Sequence, residues 1–197
     1  MRCCAVGPED PYVWLEDLGS ERTRRFVEEA NRELEELVGA RARELYPRVL
    51  ELLRRPRVQQ AVPLGEGYAL LYRGERDSVV YVGRGGVRRV LYRASGDEVL
   101  PYIEKVRGAE AVAIHVSPAG ADVGRTLIVD AEGTVLDSVE GSVWSFAYIG
   151  GVLHFVRFYR SGRAPDGAEA PVMRVVARRG GSEEGVWGSR EVKRGML

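Results

Sequence analysis

A mainly β fold behind an α-helical head is expected for this chain, on three features of its sequence. Apolar residues recur at helical spacing until about residue 55, short segments rich in Val, Ile, Leu and Tyr follow from about residue 58, and Gly-rich turns separate those segments. The change of pattern divides the chain into a helical segment, 1–57, and a β-rich region, 58–197. Strands spaced by roughly ten residues with no helices between them indicate antiparallel meanders in a sandwich, a barrel or propeller blades. Periodicity alone does not choose among these.

In the head, Ser20 is placed to cap a helix in which Phe26, Val27, Ala30, Leu34, Leu37 and Val38 form an apolar stripe. Gly39 offers a stop. A second helical pattern, Ala42, Leu45, Val49, Leu52 and Leu53, ends at Arg55-Pro56, with Pro47 either kinking it or starting a new helix. Two helices are therefore expected. Glu21 with Arg25, Glu28 with Arg32, and Arg32 with Glu36 stand four residues apart, a spacing that lets ions pair on a solvated face.

Strands are expected at 68–72, 79–82, 89–92, 112–116, 126–129, 134–136, 143–149, 152–158 and 172–177. Gly83 to Gly86, Ala131-Glu132-Gly133 and Gly150-Gly151 supply turn residues that tolerate positive φ.

Composition narrows the function. Of 197 residues 45% are hydrophobic and 29% charged, and 29 Lys+Arg balance 29 Asp+Glu. Disordered polyelectrolytes combine low hydrophobicity with large net charge, so that class is excluded. A basic nucleic-acid binder is not the default either, because no net positive field attracts phosphates. No apolar run approaches a bilayer-spanning length, and a cytoplasmic protein is expected. The two cysteines, Cys3 and Cys4, are neighbours in the N-terminal tail and read as reduced thiols. Lys occurs only at 105 and 193, Asn only at 31 and Gln only at 59 and 60, a composition similar to that of heat-adapted proteins.

Asp10-Pro11-Tyr12-Val13-Trp14-Leu15-Glu16-Asp17, followed by a charged helix with Phe26, Val27, Glu28 and Asn31, resembles the N-terminal signature of the prolyl oligopeptidase family. Ser117-Pro118-Ala119-Gly120-Ala121-Asp122, Thr126-Leu127-Ile128-Val129-Asp130 and Gly133-Thr134-Val135-Leu136-Asp137 resemble that family's early propeller blades. Residues 93–110 fit least well. In that family a helical segment leads into a seven-bladed propeller, followed by an α/β-hydrolase domain with a Ser, Asp and His triad that cleaves short peptides after proline.

The resemblance implies an N-terminal segment and about three blades of an incomplete propeller, at 58–107, 108–140 and 141–192. The chain would be inactive alone. Its implied partners are the α/β-hydrolase catalytic domain and the remaining blades, with short peptides bound only by the assembled enzyme. Self-association is the expectation for an isolated arc of blades, and a stand-alone β-rich interaction module is the alternative reading.

No catalytic triad is identifiable within the chain. A hydrolase nucleophile needs a G-x-S-x-G elbow, and the nearest approach, Gly180-Gly181-Ser182-Glu183-Glu184-Gly185, has Glu184 where glycine is required. Ser182 reads as a hairpin tip. His115 and His154 each lie inside a strand pattern without an evident nucleophile or orienting group, and no ligand spacing for a metal or motif for a cofactor is present. Gly83-Arg84-Gly85-Gly86 joins two strands and reads as a turn, since a phosphate cradle would open a helix. Trp144 is the one substrate-facing candidate, by the family resemblance. Trp14 and Tyr12 belong to the signature, which in relatives packs on the hydrolase domain.

Overall fold

The computed structural model describes residues 10–188, so Cys3 and Cys4 lie outside the described residues. The chain divides after Arg54 into two units.

In the first unit the signature string forms a 3-10 turn, Val13–Glu16, followed by one helix, α1 (Glu21–Arg54). Ser20 caps α1: its Oγ accepts the Thr23 backbone N–H at 3.1 Å. The Thr23 hydroxyl donates to the Trp14 carbonyl at 3.1 Å, and the Trp14 ring stands edge-on to Phe26 at 5.4 Å. Arg22 lies 4.1 Å over the same indole. Of the expected surface pairs, Glu21–Arg25 forms at 3.2 Å.

The two expected helices are a single one. Gly39 does not adopt a left-handed φ, and a helical glycine costs only about 1 kcal/mol against alanine. The strong helix formers Ala40, Arg41, Ala42 and Arg43 carry the helix past it. Gly39 is buried because Glu35 folds over it and pairs with Arg43, eight residues along. Pro47 sits inside α1 without ending it. The apolar stripe is exposed, with Leu34, Leu37 and Leu52 each more than half accessible.

The second unit is three antiparallel sheets in chain order. The first contains β1 (Arg57–Leu64), β2 (Gly67–Arg73), β3 (Ser78–Val82) and β4 (Arg88–Arg93) as a simple meander. The middle sheet contains β5 (Glu98–Val99), β6 (Ile103–Val106), β7 (Ala111–Pro118), β8 (Gly124–Asp130) and β9 (Val135–Gly141). Here β6 to β9 form the meander, and β5 pairs with the end of β7. The third contains β10 (Val143–Ile149), β11 (Val152–Tyr159), β12 (Val172–Arg179) and β13 (Ser182–Trp187).

The expected divisions at 107 and 140 therefore shift. Residues 94–107 belong with the middle sheet, because Ile103 to Val106 pair with Ala111 to Ile114 of β7. Gly83 to Gly86 does form the turn between β3 and β4.

Two apolar layers hold the sheets together. Leu64, Leu71 and Val79 of the first sheet meet Val112, Ile114 and Val129 of the middle one. Ala111, Ala113 and Ile128, from the other side of the middle sheet, meet Phe146, Phe155 and Val176 of the third. Successive residues of a strand point to opposite faces, so a strand covered on both sides loses its apolar-polar alternation. β7 is buried at every position but its last.

Candidate functional site

Between the middle and third sheets opens a cleft of about 260 Å³, bordered by Tyr102, His115, Ser117, Asp122, Trp144 and Arg160. Its floor is a chain of polar groups. His115, on β7, lies 3.0 Å through Nε2 from Glu104 Oε1 on β6, and 2.9 Å through Nδ1 from the Thr126 hydroxyl on β8. A carboxylate only accepts, so Nε2 carries the hydrogen, and the neutral ring accepts from Thr126 through Nδ1. The Tyr102 ring stacks on the imidazole with centroids 3.9 Å apart. Burial, and next the Glu104 charge, push the Tyr102 hydroxyl above its ordinary pKa.

Glu104 also reaches the third sheet. Its carboxylate oxygens accept the Ser145 backbone N–H at 3.1 and 3.2 Å. Ser145 has φ of +60°, within the β10 bulge where pairing to β11 shifts between Trp144 and Ala147. On the cleft's outer lip, Arg160 bonds Asp122 at 2.9 Å and the Ser142 hydroxyl at 3.1 Å.

Hydroxyl, imidazole and carboxylate thus stand in the order of a nucleophile, base and orienting acid. The chemistry does not follow, because Thr126 is only 1% exposed and its hydroxyl has no free approach for a substrate carbonyl. The arrangement satisfies buried polar groups and ties strands together. Sequence reading found no partners for His115; they arrive from strands β6 and β8, and only the register reveals them.

Trp144 borders the cleft, while its ring stands edge-on to Phe158 at 6.2 Å. Register places it with Val156 on the face of the third sheet that points away from the middle one. Ser182 opens β13 behind the Gly180-Gly181 turn and pairs with Arg179, exposed, with no helix following it among the described residues. His154 lies on β11, and its Nδ1 is 3.0 Å from the Val152 carbonyl. Tyr12 is exposed beside the Trp14 turn. Among the described residues no group of three His, Cys, Asp or Glu side chains is placed to hold a metal, and no helix is long and apolar enough to cross a membrane.

A second polar seam joins the same two sheets. Arg178 reaches Asp137 of β9 at 3.1 Å and Glu183 at 2.9 Å, and Arg157 reaches Glu183 at 2.8 Å. It is an ionic lock between sheets, with no nucleophile in it.

No protein-family model matches this chain, and no curated protein matches it.

Proposed function

We propose that this chain is the N-terminal, non-catalytic portion of a prolyl-oligopeptidase-like serine peptidase, a cytoplasmic enzyme that cleaves short peptides after proline. The three sheets are then consecutive blades of an incomplete propeller. Alone, the chain does no chemistry; its role is to hold blades and the head segment ready for an α/β-hydrolase partner domain and for the remaining blades.

One observation carries the reading: three successive four-stranded meanders stack face on face, and the outward faces at both ends of the stack remain apolar. A finished two-sided sheet protein turns polar residues outward, whereas blades expect neighbours. The lock between Trp14, Thr23 and Phe26 adds support, since it makes the Asp10 to Asp17 string a defined cap on α1. In this reading Trp144 and the cleft beside it lie toward the substrate cavity of the assembled enzyme.

A fluorophosphonate serine-hydrolase probe is the direct test. The purified chain is expected to stay unlabelled; labelling overturns the proposal. The coding DNA beyond Leu197 supplies the complementary test, with further four-strand repeats and a Gly-flanked serine expected and their absence decisive against it. A stand-alone β-rich interaction module draws on the same apolar faces, and differs in predicting a defined assembly without any hydrolase partner.

A further inference from the structure

The two free faces of the stack are built like its interior. By register, Tyr68, Leu70, Tyr72, Val80 and Val90 share the side of the first sheet that points away from the middle one. Tyr68 is 55% exposed and Val90 50%. On the third sheet, Trp144, Val156, Phe158, Val175 and Ala177 share the corresponding outward side. Isolated antiparallel sheets alternate apolar-in with polar-out; these two sheets are apolar on both sides, as the doubly covered middle sheet is.

The two free faces differ from each other. Each sheet turns its second face to the first face of the next, so the stack runs head to tail. The free face of the third sheet and that of the first are therefore the two halves of a contact the molecule already makes twice. Such a heterologous contact repeats until a ring closes or a filament grows. Rings of four-stranded sheets typically hold about four to eight; two copies of this chain supply six, and three copies overshoot.

Shape and charge agree with the pairing. Tyr72, Val80, Arg88 and Val90 border a groove of about 470 Å³ on the first sheet, and Trp144 with Phe158 forms an aromatic ridge on the third. Arg88 on β4 and Glu184 on β13 face outward from the last strand of their respective sheets, with opposite charges.

We infer that this chain binds a second copy of itself head to tail, the third sheet of each on the first sheet of the other, closing a two-fold ring of six sheets. The inference rests on the sheet stack and not on the peptidase reading, so a labelled serine would leave it standing.

Sedimentation of the full chain is expected to give a species of twice 21.8 kDa. Tyr68→Glu and Phe158→Glu each spoil both contacts and yield monomers with unchanged circular dichroism. Mixing the two variants restores a dimer, because the intact third sheet of one meets the intact first sheet of the other. As a check that spares the core, Arg88→Cys and Glu184→Cys are placed in a Cys3→Ser, Cys4→Ser background and treated with a short bis-maleimide. Cross-linked dimer is expected from the mixture and from neither variant alone. A monomer at high concentration, a series of species growing beyond the dimer, or cross-linking within a single variant each overturns the inference.

Discussion

Glu104 and Ser145, 41 positions apart, are joined by a 3.1 Å hydrogen bond in which a carboxylate on the middle sheet accepts a backbone N–H in the bulge of the third. The same carboxylate accepts from His115, so a single side chain positions both a buried imidazole and a left-handed backbone turn. Buried donors left without acceptors cost about 1–3 kcal/mol each. Glu104→Ala strips two of them and is expected to lower stability by about 3 kcal/mol. Glu104→Gln keeps an acceptor and is expected to lose about 1 kcal/mol. Urea unfolding of the two variants separates these outcomes; equal losses would show that the carboxylate does nothing beyond filling space.

Backbone demands at two nearby positions have opposite signs. Ser145 holds φ of +60°, where a side chain is strained, and Ser145→Gly is expected to raise stability by about 1 kcal/mol. Gly108, in the β6–β7 turn, holds φ of +74°, and a Cβ there would fall 2.4 Å from the Tyr148 carbonyl oxygen of β10. Backbone on both sides leaves no side chain to move aside. Gly108→Ala is expected to cost more than about 3 kcal/mol, or to prevent folding, on thermal unfolding of the two proteins.

Strands whose residues alternate, or which run apolar between glycine turns, are visible in the sequence: 143–149 and 152–158 coincide closely with β10 and β11. β6 was not legible. Its burial runs buried, partial, partial, buried, because Ile103 faces one apolar layer and Val106 the other, while Glu104 faces His115. β1 was hidden for a related reason: Gln59 and Gln60 interrupt its apolar run, yet Gln60 spends its amide oxygen on the Ile103 backbone N–H at 2.9 Å. Gly39 and Pro47 read as punctuation, and propagation of a long helix overrode both. The Thr126, His115 and Glu104 chain left no sequence signal, since its members come from three strands whose register no local pattern encodes.

Glu98 is the most heavily bonded carboxylate between the first two sheets. Burial works to raise its pKa, but hydrogen bonds from the Ser95 backbone, the Tyr92 hydroxyl and the Ser95 hydroxyl, with the Arg125 charge, outweigh burial and hold it below its ordinary value. The unfolded-state value is about 4.3, so the folded state binds this proton less tightly. The stabilisation is complete above that pH and disappears as pH falls through the lower folded value. Glu98→Gln is accordingly expected to be destabilised against the parent at about pH 6 and to approach it at about pH 3. Urea midpoints at both values test this, and a gap that persists in acid would mean the loss is one of packing.

Ala113 decides how closely the third sheet approaches the middle one. It is fully buried on β7, within the layer formed by Phe146 and Phe155, whose rings lie 5.5 Å apart. Large rings from one sheet need small residues opposite, and Ala111 and Ala113 provide them. Ala113→Leu adds three carbons where no space exists, and overpacking of this kind costs about 1–3 kcal/mol. The strain has a direction: it pushes the third sheet outward and so acts on the Glu104–Ser145 bond as well as on the rings. Ala113→Leu is therefore expected to lose that range of stability and also to speed exchange of the Ser145 amide hydrogen. Combined with Glu104→Ala the two losses are expected to add to less than their sum, because each already loosens the same contact. A double variant whose unfolding free energy equals the sum would show that the apolar layer and the polar tie hold the sheets independently.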